Sequence, residues 1–169
     1  MRQLAEKAVS ELQSSWESLS MESIDKVKTT IKALATDPEF QKLLQLKNQE
    51  LDHGLELHRD QTFGFVLLAY SEGKGSYRVP HDHGNAWVVY AVVSGQVEMG
   101  NYFKSVPPNG YLQLIQKSHE NLNSGDTRIY YPGEIHDTRC VSDTAVILRL
   151  TSLDLREEER AGRMNRYQI

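Results

Sequence analysis

Residues 86–103 read AWVVYAVVSGQVEMGNYF, and this stretch indicates the fold more directly than any other part of the chain. AWVVYAVV (86–93) is an unbroken run of β-branched, aromatic and small apolar residues, which is typical of a strand buried on both faces. Ser94-Gly95 follows as a turn, and QVEMGNYF (96–103) then gives a second strand. We therefore predict that one face of the first strand lines the interior of a β-structure and that helices cover the other face.

Short segments of the same kind lie on either side of this stretch. Those rich in β-branched or aromatic residues are FGFVLLAY (63–70), YLQLIQ (111–116), TRIYY (127–131) and TAVILRLT (144–151). Turn sequences that contain glycine separate them, for example Glu72-Gly73-Lys74-Gly75. Many short strands joined by turns predict a mainly β sandwich or barrel.

The first 50 residues differ from the rest, because they contain no glycine and no tyrosine. Apolar residues recur there at helical spacing, as in Ile24, Val27, Ile31 and Leu34. Asp37-Pro38-Glu39 predicts the start of a further helix, with Asp37 as its N-cap. We predict a helical segment at 1–50 that packs on a β-barrel at 51–153, followed by a charged tail at 154–169.

The composition argues against several classes of function. The 169 residues include 19 Lys plus Arg and 23 Asp plus Glu, and the net charge of −4 disfavours nucleic acid or an anionic membrane as the main partner. No apolar run approaches the roughly 18 residues that a transmembrane helix needs. The single cysteine, Cys140, allows no internal disulfide. We therefore expect a cytoplasmic protein, monomeric or homodimeric, with a small-molecule substrate.

Three histidines predict a metal site. His81 and His83 lie two residues apart in PHDHG (80–84), and on a strand-like segment both side chains would face the same way. His136 follows YPGEI (131–135), whose turn would bring it into position. Three neutral imidazoles would hold one ion and leave positions open for substrate and for a small molecule such as water or dioxygen.

These residues resemble the two motifs of the cupin superfamily. The positions that are similar to the first motif are Gly75, His81, His83 and Gly95. PGEIH (132–136) is similar to the second motif, and the resemblance covers residues 60–151. It implies a cupin double-stranded β-helix, or jelly-roll, barrel behind the N-terminal helical segment.

The first cupin motif normally adds a glutamate ligand, but Trp87 and Val88 stand at the places where it would lie. The three-histidine site that remains is similar to that of the thiol dioxygenases, which include cysteine and 3-mercaptopropionate dioxygenases. This resemblance implies Fe(II) as the cofactor, with dioxygen and a small thiol or carboxylate-bearing molecule as substrates. Nickel, zinc or manganese can occupy such a site in a recombinant sample, since imidazole binds several metals.

Thiol dioxygenases usually carry a Ser-x-His-x-Tyr pattern on a late strand that faces the iron. Ile147, Arg149 and Thr151 match those three positions, and all three differ from the pattern. The resemblance implies that Arg149 faces the metal, where its planar fork would bind an anionic substrate group. In the alternative, the aliphatic residues of the strand face inward and Arg149 lies in solvent.

Two aromatic residues complete the candidate catalytic set. Tyr131 is one candidate. Only one of Tyr130 and Tyr131 can point inward, and the sequence does not select between them. Trp87 either caps the metal pocket or belongs to the core. Two further functions stay open beside an oxygenase: a metal-dependent isomerase, lyase or hydrolase, and a non-catalytic cupin that binds a small molecule.

Overall fold

The computed structural model describes residues 2–16, 21–108 and 110–168, without the side chains of residues 2–5, 21 and 48. The helices before the strands are α1 Arg2–Ser15, α2 Met21–Thr36, α3 Pro38–Gln45 and α4 Asn48–Leu51. The strands are β1 Leu55–Arg59, β2 Val66–Gly73, β3 Tyr77–His81, β4 Val88–Ser94, β5 Gln96–Ser105, β6 Gln113–Asn123, β7 Thr127–Tyr130, β8 Ile135–Cys140 and β9 Thr144–Thr151. Helix α5, Leu155–Arg160, follows the last strand. Among the described helices, none combines the length and apolarity that crossing a bilayer requires.

The helical segment predicted for 1–50 includes residue 1 and residues 17–20, which lie outside the described part of the chain. In the ranges that are described, helices occupy most of the chain up to Leu51. The division into a helical segment, a barrel and a tail stays a prediction.

The strands form two antiparallel sheets. The first sheet has the order β1-β2-β9-β4-β7 and the second has the order β3-β8-β5-β6. Consecutive strands from β2 to β5 alternate between the two sheets, which is the path of a jelly roll. The mainly β fold class predicted from the sequence is confirmed.

Strand β4 is buried on both faces, as its continuous apolar sequence predicts. On the face that packs against the N-terminal helices, the β4 residues are Val89, Ala91 and Val93. On the face between the two sheets, they are Val88, Tyr90 and Val92. The first sheet is therefore the central layer of three, with helices on one side and the second sheet on the other.

Helix α3 begins where the sequence predicts. The side chain of Asp37 accepts a hydrogen bond of 2.8 Å from the backbone N–H of Phe40, and Pro38 occupies the first turn. Such an N-cap satisfies a backbone donor that the helix itself cannot, and it contributes about 1 kcal/mol. Phe40 and Leu44 are then buried on the face of the helix that joins the core.

The turn between β4 and β5 requires glycine at position 95. The φ angle of Gly95 is +80°, and a Cβ atom there would lie 2.6 Å from Ser142 Oγ and 2.8 Å from Ala145 Cα. Both the backbone conformation and the close approach of the turn before β9 exclude a side chain. This turn carries the chain from the first sheet to the second.

We predict that Gly95→Ala lowers the free energy of unfolding by about 3 kcal/mol. The left-handed backbone accounts for about 1–2 kcal/mol, and the steric overlap adds about 1–3 kcal/mol. Gly64→Ala is the matched control, since Gly64 has a φ of +79° but open space at the Cβ position. Urea denaturation of both variants measures the difference, and equal losses would show that the close approach at Gly95 has no energetic effect.

Candidate metal centre

The structure brings His81, His83 and His136 together. His81 is the last residue of β3 and lies opposite His136, the second residue of β8. His83 lies beyond the end of β3, so the strand-like segment expected for both histidines stops at His81. Each histidine offers one ring nitrogen, and these nitrogens lie within 4.8 Å of one another. The three side chains could therefore hold one metal ion.

All three imidazoles are buried, with His136 fully shielded from solvent. Loss of hydration lowers the pKa of each one, and the pKa of His83 falls to about 3. For His136, the neighbouring rings of His81 and His83 lower the pKa further. The neutral imidazole is the form that binds metal, so burial keeps the group ready for an ion.

A hydrogen bond orients the His81 ring, whereas one ring nitrogen of His83 and one of His136 have no hydrogen-bond partner among the described residues. His81 Nδ1 donates to the carbonyl oxygen of Val79 at 2.9 Å, which leaves Nε2 as its ligand atom. His83 Nε2 lies 3.1 Å from the Tyr90 hydroxyl and 3.4 Å from His136 Nε2. The Nδ1 atoms of His83 and His136 are buried with no hydrogen-bond partner among the described residues. Such atoms are rare in folded proteins, and this donor set fits a transition metal that accepts imidazole.

Tyr130, and not Tyr131, faces the histidines. The Tyr130 ring stacks on His136 with 3.9 Å between the ring centres. Tyr131 is 36% exposed, and its backbone N–H donates to Glu134 within the turn. Neighbouring residues at the end of β7 point to opposite sides, so only one of them can reach the site. Of the two tyrosines between which the sequence did not select, Tyr130 is therefore the one at the histidine group, and the position of Tyr131 does not support the catalytic role predicted for it.

Trp87 lies on the helix-facing side of the first sheet. Its ring centre is 4.9 Å from that of Trp16, and it belongs to the same apolar cluster as Val89. Of the two interpretations that the sequence left open for Trp87, this position favours core packing. The three histidines lie on the other side of the first sheet, so a catalytic role of Trp87 stays a prediction that its position does not support.

Arg149 points into the space between the two sheets. Its neighbours Leu148 and Leu150 pack with the helices, whereas Ile147 packs between the sheets, and residues two apart on a strand share a face. The guanidinium carbon of Arg149 lies 5.7 Å from the centre of the Tyr70 ring. Its Nε atom is buried with no hydrogen-bond partner in the described part of the chain. Of the two orientations that the sequence left open, the structure has the inward one.

A cavity of about 270 Å³ lies beside Arg149. The arginines that line it are Arg59, Arg78, Arg149 and Arg156. Arg59 forms ion pairs with Glu56 and Asp154, Arg78 forms one with Glu72, and Arg156 is exposed. Among the described residues that line this cavity, Arg149 is the inward-facing arginine without an ion pair. Its guanidinium is therefore available to an anionic ligand.

A second cavity, of about 600 Å³, lies on the Tyr130 side of the histidines. Its polar lining includes Asn101, Lys104, Lys117 and Arg128. The guanidinium carbon of Arg128 lies 5.6 Å from the centre of the Tyr130 ring. The lining of this second cavity also includes Glu120 and Glu134, so it carries side chains of both charges, and it reaches the histidine group through Tyr130 and Ile135.

Sequence reasoning missed two tyrosines that complete the wall of the site. Tyr90 contacts His83 through its hydroxyl, and Tyr70 lies beside Arg149. Burial raises the pKa of both phenols, so both stay protonated. The alternation along β4 places Tyr90 on the same face as Val88 and Val92. It identifies Tyr90 as a residue of the site only when it is known that this face points inward.

Comparisons with known proteins give likenesses of fold. No protein-family model matches the sequence, and no curated protein does so at a significant level. Among solved structures, the Schizosaccharomyces pombe Cnp3 cupin domain aligns with a TM-score of 0.48 and 10% identity over 65% of this chain and 66% of that one. DMSP lyase DddQ from Ruegeria pomeroyi DSS-3 aligns with a TM-score of 0.42 and 20% identity over 56% of this chain and 41% of that one.

An oxalate oxidase aligns with a TM-score of 0.43 and 19% identity over 54% of this chain, which spans 43% of the oxidase. Cupin barrels are thus among the structural neighbours of this chain, and its three histidines could form a metal site.

We predict that His136→Ala removes most of the metal bound to the protein, because two imidazoles alone hold a transition metal weakly. Metal content after loading with one equivalent of Fe(II) or Co(II) and desalting measures the loss. His119→Ala is the control, since His119 is exposed on β6 beside Glu98 and lies outside the three-histidine group. Full occupancy in His136→Ala would contradict the assignment of the site.

Proposed function

We propose that the protein is an Fe(II)-dependent oxygenase of the cupin type, which oxidises a small thiol or a small carboxylate-bearing substrate with dioxygen. The observation that carries the proposal is the grouping of three buried, neutral imidazoles on the same inner side of the first sheet as Arg149, whose charge acts on His81 and His83 and which has no ion pair among the described residues. Three protein ligands would leave positions on the ion for both substrate and dioxygen. The resemblance of the histidine motifs to the thiol dioxygenases supports the choice of iron.

Fe(II) held by His81, His83 and His136 would supply the centre at which dioxygen is activated. For a thiol substrate, both oxygen atoms become bonded to sulfur and the product is a sulfinic acid. The sulfur loses four electrons in this step and dioxygen gains four. The reaction therefore balances without a separate reductant.

The protein side chains would bind and orient the substrate. Arg149 stays protonated, so it cannot act as a base, but its fork can bind a carboxylate through two parallel hydrogen bonds. Burial raises the pKa of Tyr90, so its hydroxyl keeps its proton and can donate a hydrogen bond to an anionic oxygen or sulfur. The Tyr130 ring covers His136 and limits the access of water to that ligand.

A second candidate function is that of a metal-dependent lyase, isomerase or hydrolase. Ile147, Arg149 and Thr151 replace the serine, histidine and tyrosine of the thiol dioxygenase pattern, so three features that accompany the oxygenase reaction are absent from the sequence. The Tyr90 hydroxyl lies 3.1 Å from His83, close enough to the ion site to exchange a proton with a bound substrate. A redox-silent ion would then act as a Lewis acid.

We predict that the protein consumes dioxygen only when it is loaded with Fe(II). The protein is purified anaerobically, stripped of metal and reloaded with Fe(II) or Zn(II). A panel of thiols and small carboxylic acids is then tested in an oxygen electrode, with product analysis. Equal amounts of dioxygen and thiol should disappear with iron, and His136→Ala loaded in the same way is the control.

Substrate turnover by the zinc-loaded protein without oxygen uptake would reject the oxygenase and support the second candidate. Tight binding of a panel compound without turnover under either metal would instead indicate a binding protein.

We predict that Arg149→Met weakens the binding of an acidic substrate by about 1.5–3 kcal/mol, the range for a hydrogen bond to a charged group. This corresponds to a KM about 10- to 150-fold higher. Metal content should stay the same, because Arg149 is not one of the three metal-binding residues. Arg139→Met is the matched control, since Arg139 is an exposed arginine whose guanidinium lies over Tyr77. An unchanged KM for the best acidic substrate would rule out this role of Arg149.

A further inference from the structure

The C-terminal residues 161–168, here called the strap, lie across the loop that carries His81 and His83. The backbone N–H of Tyr167 donates to the carbonyl oxygen of Pro80 at 2.8 Å, and the N–H of Asp82 donates to the carbonyl oxygen of Asn165 at 3.1 Å. His81 also forms a β-bridge with Arg166. The strap therefore pairs with the chain on both sides of the first histidine.

Asp82 is the centre of this contact. It lies between the two histidines, is 3% exposed and accepts four hydrogen bonds. Its Oδ1 accepts from the N–H groups of Gly84 at 3.1 Å and Asn165 at 3.0 Å. Its Oδ2 accepts from Asn165 Nδ2 at 2.9 Å and from the Tyr167 hydroxyl at 2.8 Å. Three of the four donors belong to the strap.

A second buried carboxylate fixes the other end of the histidine loop. Glu158 of α5 is 3% exposed, and it accepts from the N–H of Asn85 at 3.0 Å and from the guanidinium of Arg163 at 2.7 and 2.9 Å. Gly84 lies so close that a Cβ atom there would be 2.7 Å from Glu158 Oε2. Residues 82–85 are thus held against α5 and the strap.

The strands alone do not fix His83. Strand β3 ends at His81, and its pairing with β8 is irregular between Arg78 and His81. The hydrogen bonds that hold the segment after His81 come largely from the strap and α5. The side chain of Asp82 is turned away from the ring nitrogens of the histidines, and Asp82 is not part of the potential metal-binding group.

We propose that the strap acts through Asp82 as a positioning element, which holds His81 and His83 in the arrangement that binds metal. The inference rests on the three-histidine metal site of the proposed function, but it does not depend on iron or on oxygenase activity. It assigns Asp82, Asn165 and Tyr167 as positioning residues. Docking of the strap and metal affinity are then coupled, because the docked strap orders two of the three ligands before the ion arrives.

The test is a Co(II) titration of the full-length protein, followed by visible absorbance, which reports metal binding without redox chemistry. In Asp82→Asn, an amide NH₂ group replaces the carboxylate oxygen that accepts hydrogen bonds from Asn165 and Tyr167. In Asn165→Asp, a second carboxylate lies against that of Asp82. Each change should weaken Co(II) binding by about 10- to 100-fold, the range found for residues that orient metal ligands. The double variant Asp82→Asn/Asn165→Asp exchanges donor and acceptor, so it should regain most of the affinity.

Asp143→Asn is the matched control, since it is the same substitution at an exposed carboxylate that pairs with Lys74 and contacts neither Asp82 nor the strap. It should leave Co(II) affinity unchanged. Tyr167→Phe removes a single hydroxyl and should weaken Co(II) binding by a smaller factor. This variant tests the proposal if Asp82→Asn and Asn165→Asp impair folding. Thermal unfolding of the metal-free variants is measured in parallel, because a purely structural role would lower stability while the folded protein kept its Co(II) affinity.

Co(II) affinity in the folded Asp82→Asn protein equal to that of the wild type would overturn the role of the strap and leave the metal site in place. Failure of the double variant to regain affinity would overturn the assignment of Asp82 as a positioning residue. A wild-type protein that binds no Co(II) would overturn both the metal site and the strap. Normal Co(II) binding without oxygen uptake by the iron-loaded protein would overturn only the oxygenase.

Discussion

The burial of both faces of the first sheet is the constraint on which the rest of the structure depends. The apolar residues of β4 and β9 point alternately to the helices and to the second sheet, so neither layer can be removed without exposing a continuous apolar surface. The N-terminal helices supply Leu12, Ile31 and Phe40 to the outer cluster. Because the outer face is covered in this way, the inner face can hold polar side chains without the loss of the whole core.

The space between the two sheets holds several ionisable groups, and the free-energy cost of burying them is offset in different ways. The three histidines lose their charge, since their pKa values are lowered. Glu72 and Arg78 form an ion pair at 2.5 Å. Arg149 has no ion pair among the described residues, and its guanidinium carbon lies 5.7 Å from the centre of the Tyr70 ring. Groups perturbed in this way and gathered beside a cavity are typical of functional sites.

Residues 161–168 lie across the end of the fold that carries His81 and His83. Asp154 caps α5 and also binds Arg59 of β1 at 2.6 Å, which fixes the helix against the first sheet. From there the strap crosses to the second sheet and meets Asp82. The charged tail thus connects the wall of the arginine-lined cavity to the histidine loop.

The sequence by itself determined the mainly β fold class, the helix at Asp37, the two-sided burial of β4 and the three histidines as one group. These follow from local turn chemistry, from residue periodicity and from motifs that do not depend on distant contacts. Alternation along a strand shows which residues share a face, but it does not show which face is inward when both faces are apolar. The inward positions of Tyr130 and Arg149, and the packing of Trp87 with the helices, were therefore decided only by the tertiary structure. The contact of Asp82 with Asn165 joins residues 83 positions apart, and a strap at such a separation leaves no local pattern in the sequence.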